Sequence, residues 1–145
     1  MNRTQFRMSA ALFAASLLAA PAMAAGDNAG LILLPPPQTQ GSVTFITGGV
    51  GEEEAAAMRM EEARFPLSME FARTAQPRAE FYALVNVTIR DPQGQTVLST
   101  VTEGPFLLAN VPPGKYTVTA AIEGQAKQQS VVVDERRPEH IAFVW

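Results

Sequence analysis

The chain contains few side chains that could form a catalytic or metal site. It has no cysteine and a single histidine, His140, so thiol catalysis and thiolate metal sites are excluded. His140 stands between Glu139 and Ile141 in a predicted strand, and the pattern places no second ligand nearby. We expect a surface or edge histidine, and we predict no metal site and no cofactor.

The serines offer no better basis for catalysis. Ser42, Ser68, Ser99 and Ser130 lie in strand-like segments that lack the spacing of a nucleophile elbow. Any of them would need the only histidine as its general base. A serine hydrolase is therefore not expected.

The carboxylates cluster around one glycine-rich segment, Gly48–Gly51. A glycine-rich turn before a helix can bind an anion, but Glu52, Glu53 and Glu54 follow it directly and would repel one. The spacing matches neither a phosphate-binding loop nor a calcium loop. We interpret these glutamates, together with Glu61 and Glu62, as a solvated helix face.

One enzymatic alternative remains open. Two carboxyl groups at a set separation can hydrolyse a glycosidic bond, and Glu103 with Glu123 is one such candidate pair. The chain would then be a small glycan-acting enzyme. The non-catalytic interpretation is developed below.

The first 24 residues have the pattern of a secretory signal peptide. Arg3 and Arg7 precede the apolar run Ala10–Ala20, and Ala22-Met-Ala24 supplies small residues for cleavage. We predict a periplasmic or secreted protein with no stable membrane span after cleavage, an uncleaved anchor being the alternative. The chain is acidic, with a net charge of −3, which disfavours a nucleic-acid partner.

Two segments precede the predicted main domain. Residues 25–41 contain Pro35–Pro37 and are expected to form a flexible arm, unless Leu31–Leu34 docks as an added strand. Residues 42–66 are predicted as an extension with a strand and a helix. The helix is expected to begin at Glu52, to end near Ala63 and to pack outside the domain, with Met60 as its main contact and Met58 beside it.

From Leu67 to the end, the pattern is that of β-strands. Apolar residues alternate from Phe81 to Ile89, which predicts one central strand with Tyr82 on its exposed face. Two segments predict turns, and their key residues are Asp91 and Gly94 in the first and Pro112, Pro113 and Gly114 in the second. About seven strands at intervals of roughly ten residues predict an all-β, Greek-key sandwich over residues 67–145.

A family resemblance rests on the central segment. It contains Val85-Asn-Val-Thr-Ile-Arg-Asp-Pro-Gln-Gly94, then Thr96-Val-Leu98, then Phe106-Leu-Leu-Ala-Asn-Val-Pro-Pro-Gly-Lys-Tyr-Thr-Val118. This segment resembles the carboxypeptidase regulatory-like domain, which implies a transthyretin-like sandwich. The match extends over about a third of the chain.

A second resemblance involves the whole mature chain. The helix after Gly48-Gly-Val-Gly-Glu-Glu53 and the ending Phe143-Val-Trp145 resemble small exported proteobacterial proteins, a likeness that implies no activity. In metallocarboxypeptidases the regulatory-like module is a non-catalytic neighbour of the enzyme domain. The resemblance thus implies folding support or recognition.

These observations favour a non-enzymatic binding or scaffold module of the cell envelope. An exposed sheet edge, the loops around Pro77 and Pro112, or the helix would contact a protein or a polysaccharide. Tyr82 and Lys115 are the candidate contact residues.

Overall fold

The structure is a computed structural model that describes residues 34–145. This part of the chain contains ten strands, one α-helix and one short 3₁₀ helix. In chain order the elements are β1 (Gln38–Gln40), β2 (Val43–Gly48), α1 (Glu52–Glu61), the 3₁₀ helix (Glu62–Arg64), β3 (Leu67–Arg73), β4 (Glu80–Phe81), β5 (Asn86–Arg90), β6 (Thr96–Val101), β7 (Phe106–Asn110), β8 (Gly114–Ile122), β9 (Gln125–Val133) and β10 (Glu139–Val144).

The strands form two sheets that share one buried core. The first sheet has the order β1-β2-β7-β3-β10, with β4 also paired to β3, and the second has the order β6-β5-β8-β9. Phe71 and Phe143 of the first sheet belong to the same core cluster as Val87 and Val118 of the second.

The prediction of a mostly β protein with one short helix is confirmed. The described residues form ten strands against about seven predicted for residues 67–145. β1 and β2 lie before residue 67, β2 matching the strand predicted in the extension, and the predicted strand 81–90 is divided into β4 and β5.

The predicted central strand 81–90 is in fact divided between the two sheets. Phe81 lies in β4 of the first sheet and is 51% exposed, whereas β5 begins at Asn86 in the second sheet. The chain crosses between the sheets at Leu84, which has a φ of 58°. Alternating apolar residues predict an inward face, but they do not reveal that the chain changes sheets within the run.

The segment predicted as an extension, 42–66, is not separate from the sheets. β2 lies between β1 and β7, and its Val43 and Phe45 are part of the shared core. β1 also lies within the predicted flexible arm and pairs with β2. The predicted signal peptide and residues 25–33 fall outside the described residues.

Helix α1 packs on the outer face of the first sheet, over β2 and β7. Met58 is 0% exposed and packs with Ile46, Phe106 and Leu108 in a second, smaller core cluster. Met60, the predicted main contact, is 80% exposed, so that prediction is wrong. The helix is short, and its apolar stripe is too weak to set its own rotation about the axis. Within residues 34–145, no helix is long and apolar enough to cross a bilayer.

Two turns position the strands of the second sheet. Asp91 Oδ1 accepts hydrogen bonds from the backbone N–H groups of Gln93 and Gln95, at 3.0 and 2.9 Å, and Gly94 has a φ of 79°. At the other turn, the Tyr116 hydroxyl donates to the Pro112 carbonyl at 2.6 Å. Each turn therefore has a specific side-chain hydrogen bond that fixes its conformation.

Candidate functional site

An apolar groove of about 450 Å³ lies between helix α1 and strand β4. We call it the α1–β4 groove. One wall is the loop before α1 together with the first turns of the helix, and the other is β4 with the residues that precede β7. The lining residues are Gly49, Val50, Gly51, Glu52, Ala55, Arg59, Phe81, Ala83, Pro105 and Phe106.

The wall formed by the glycine-rich loop is held by Glu54. The Glu54 carboxylate oxygen Oε1 accepts a hydrogen bond from the Gly49 N–H at 2.6 Å. Gly49 has a φ of 98°, and a Cβ there would overlap the ring of Phe106. Only glycine combines this backbone conformation with the close approach of an aromatic ring. The helix side chain and the glycine together fix the loop above the sheet.

Aromatic rings form the floor and the opposite wall of the groove. Phe106 is buried, Phe81 is half exposed, and their ring centroids are 6.5 Å apart. The guanidinium carbon of Arg59 lies 5.0 Å from the Phe106 centroid and 5.8 Å from the Phe81 centroid. Such distances allow cation–π attraction. Arg59 also lies 4.0 Å from Glu70 of β3, so the groove combines an apolar base with one oriented cation.

A polar cluster lies on the same outer sheet face. It consists of Glu62 from the 3₁₀ helix, Glu70 and Ser68 from β3, and His140 from β10. His140 Nδ1 is 2.9 Å from Ser68 Oγ and 3.6 Å from Glu62 Oε2, while Nε2 is 4.0 Å from Glu70 Oε2. The expectation that no ligand partner lies near His140 is therefore wrong. Parallel pairing of β3 with β10 brings together residues about seventy positions apart.

The polar cluster is not arranged as a serine hydrolase site. Ser68 is hydrogen-bonded to His140, as a nucleophile and its base would be. However, Ser68 is only 1% exposed, so its hydroxyl cannot reach a carbonyl group of a substrate. The hydroxyl acts instead as a hydrogen-bond partner that orients the imidazole ring.

The structure does not bring Tyr82 and Lys115 together. Tyr82 is half-buried at the first sheet, where its ring meets Trp145 edge-on at 5.8 Å and lies under Arg73. Lys115 is exposed on β8 of the second sheet, beside a depression of about 250 Å³. Pro112 and Pro113 line a different cavity of about 260 Å³. The sequence analysis did not identify Phe81 or Arg59 as lining a groove. It predicted Phe81 to be buried, and so it left Arg59 without an exposed aromatic neighbour.

Two of the sheet edges carry side-chain bridges. Gln40 of β1 exchanges hydrogen bonds with the Ser99 backbone of β6, at 3.1 and 2.6 Å. On the other side, Gln129 and Lys127 of β9 donate to backbone carbonyls of β10. These bridges occupy backbone groups that an added strand would need. The occupied groups belong to β6 and β10, which makes these two edges less suited to an added strand.

The carboxylates considered for glycan hydrolysis lie elsewhere. Glu103 and Glu123 are exposed in two different turns, after β6 and after β8. Neither lines the α1–β4 groove. Comparison of the sequence with protein-family models and with curated proteins finds no match.

Proposed function

We propose that the protein is an exported, non-catalytic binding module that engages a protein partner through the α1–β4 groove. The observation that carries the proposal is the half exposure of Phe81 in a groove whose base is aromatic. A large apolar side chain left open to water beside a preformed concavity is typical of an interaction site. Val50, which is exposed on the opposite wall, extends the apolar surface.

The lining favours a protein over a polysaccharide. Glycans present many hydroxyl groups and require a comparable number of hydrogen-bonding side chains, whereas Glu52 and Arg59 are the charged residues of this lining. The partner we propose presents an apolar side chain to Phe81 and a carboxylate to the exposed side of Arg59. Export rests on the signal-peptide pattern of residues 1–24.

The fold proposal is a transthyretin-like Greek key, as in the carboxypeptidase regulatory-like domain. Strand order supports it: β8 lies beside β5 and not beside β7, the strand that precedes it. A strand that pairs with β5 and not with its predecessor is what a Greek-key connection would produce, and this neighbour is the support for the proposal. The central sequence resemblance supports the same assignment.

A site-specific photocrosslinker tests the proposed surface. Benzoyl-phenylalanine would replace Phe81 in one variant and Val132 in the other, since both side chains are large, apolar and exposed but Val132 lies on β9. In intact cells of the native host, we expect the variant with the crosslinker at position 81 to form discrete protein adducts. The variant with the crosslinker at position 132 should not form those adducts. Equal adducts from both positions, or adducts that a glycosidase removes, would contradict the proposal.

Arg59 provides a second test with a matched control. When Arg59→Gln is added to the variant that carries the crosslinker at position 81, the yield of the adduct should fall about tenfold. The reason is that the partner's carboxylate loses the cation with which it pairs. Arg64→Gln removes an equivalent charge from a residue that pairs with Glu61 outside the groove. It should leave the adduct unchanged, and equal loss in both variants would argue against the groove. Urea unfolding of each variant verifies that the fold is intact.

A further inference from the structure

We infer that Glu62, Glu70 and His140 form a binding site for a divalent transition-metal ion of the zinc class. The three residues come from the 3₁₀ helix, β3 and β10. One ligand atom from each lies within 4.8 Å of the other two. This assignment is independent of the α1–β4 groove and of its partner.

Sheet register is the first reason for the assignment. β3 and β10 are parallel, with His140 paired to Ser68 and Ala142 paired to Glu70. The two potential ligands therefore project from neighbouring strands on the same face of the sheet, two residues apart in register. The 3₁₀ helix brings Glu62 over this face from α1. A rigid sheet thus supplies two ligands and the helical segment supplies the third.

The donor set selects the class of ion. One imidazole nitrogen and two carboxylates match the nitrogen and oxygen ligands that zinc accepts. Calcium requires six to eight oxygen ligands, and magnesium prefers a nearly complete oxygen shell. Three protein ligands leave room for water at the remaining positions of the ion.

Ser68 orients the imidazole for this role. Its Oγ is 2.9 Å from His140 Nδ1 and 3.5 Å from the Glu139 carbonyl oxygen. If the Ser68 hydroxyl donates its hydrogen to the Glu139 carbonyl, its oxygen can accept a hydrogen bond from the Nδ1–H group of His140. The neutral imidazole then carries its proton on Nδ1, and Nε2 has a free lone pair. Nε2 faces Glu70, so its free lone pair points toward a carboxylate. Metal-bound histidines are commonly held by a hydrogen bond of this kind.

Modest side-chain movement would complete the coordination. Two ligands of one tetrahedral zinc ion lie about 3.4 Å apart, given bonds of about 2.1 Å. The present 4.0 Å from Nε2 to Glu70 Oε2 is close to that separation. Glu62 Oε2 now lies 3.6 Å from Nδ1, so this carboxylate would turn toward the Nε2 side to reach the ion. The side chains of Glu62 and Glu70 are each 24% exposed, which leaves both of them space to change rotamer.

Zinc titration of the full chain, purified without a histidine tag, tests the assignment. By calorimetry at pH 7.5 we expect one zinc ion per chain, and zinc should also raise the melting temperature. His140→Gln and Glu70→Gln should each weaken binding at least about tenfold. Glu53→Gln, an exposed glutamate on the first turn of α1, is the matched control and should bind as the wild type does.

Several outcomes would contradict the assignment of this metal site. In the alternative arrangement, His140 lies between the two carboxylates without any metal, and the wild type would then bind no zinc. Binding that survives His140→Gln, or that Glu53→Gln weakens equally, would place the ion elsewhere. Melting temperatures measured with a chelator establish that each variant is folded. Ser68→Ala should weaken zinc binding about tenfold and leave one ion per chain.

Discussion

Gly104 packs directly against the backbone of Gly48. A Cβ added at position 104 would lie within 3.0 Å of three backbone atoms of Gly48. Nearby, the Thr47 hydroxyl oxygen accepts a hydrogen bond from the Glu103 N–H at 3.0 Å. This contact holds the loop before β7 against the end of β2, directly behind the α1–β4 groove.

Gly104→Ala should therefore be strongly destabilising. Backbone atoms cannot move aside as a side chain can, so we expect a loss of about 3 kcal/mol in the free energy of unfolding. Gly41→Ala is the control, because a Cβ there meets nothing within 4 Å although its φ is +58°. It should cost about 1 kcal/mol. Equal losses in urea unfolding would contradict the close contact.

The hydrogen bond between Glu54 and Gly49 should stabilise the loop before α1. Glu54→Ala removes a charged acceptor from a partly buried N–H group and should cost about 2 kcal/mol. Glu54→Gln keeps an oxygen acceptor and should cost about half as much. Glu53→Ala, in the same helical turn but exposed, should change stability by less than about 0.5 kcal/mol. Urea unfolding of the three variants measures the difference.

Thr102 should protect the backbone where the chain crosses between the sheets. Its buried hydroxyl oxygen accepts from the Val85 N–H at 3.0 Å. Thr102→Val keeps the shape of the side chain and leaves that N–H unpaired, at a cost of about 2 kcal/mol. Hydrogen exchange of the Val85 amide should accelerate in Thr102→Val and stay slow in Thr102→Ser. Unchanged exchange in the valine variant would show that the hydroxyl is not the acceptor.

Tyr116 should cause the stability of the fold to decrease at alkaline pH. Burial, and to a lesser degree the charge of Asp91, raises the pKa of Tyr116 above its usual value. In the unfolded chain the phenol loses its proton near pH 10, while in the folded chain it is still protonated. The unfolded state then binds fewer protons, so stability falls as the pH rises through about 10.

Tyr116→Phe isolates this effect. The variant loses the hydrogen bond to Pro112 at every pH, but it lacks the titrating group. The urea midpoint of the wild type should fall more steeply between pH 9 and pH 11 than that of the variant. Parallel curves would mean that the phenol ionises equally in both states.

Local chemistry made part of the fold predictable. In the turn after β5, an aspartate, a proline and a glycine lie within four residues, and both hydrogen bonds to the Asp91 carboxylate come from residues at most four positions away. The strand from Leu67 to Arg73 was predictable for a similar reason, because its residues alternate between an apolar face and a more polar one.

The candidate sites were not predictable in the same way. Phe81 appeared to be a core residue, because its apolar run continues into β5 and nothing local marks the change of sheet at Leu84. The rotation of α1 depends on contacts of Met58 with β2 and β7, not on the weak apolar stripe of the helix.

The sequence by itself determined the strand-rich composition, the turns and the absence of thiol chemistry, since these depend on residue type and near neighbours. Tertiary structure alone decided that His140 meets Glu62 and Glu70, and that Phe81 opens into a groove. The physical reason is that periodicity specifies which face of a strand is apolar, but not which strand becomes its neighbour. In this protein that choice results from the parallel pairing of β3 with β10 and from the crossing at Leu84.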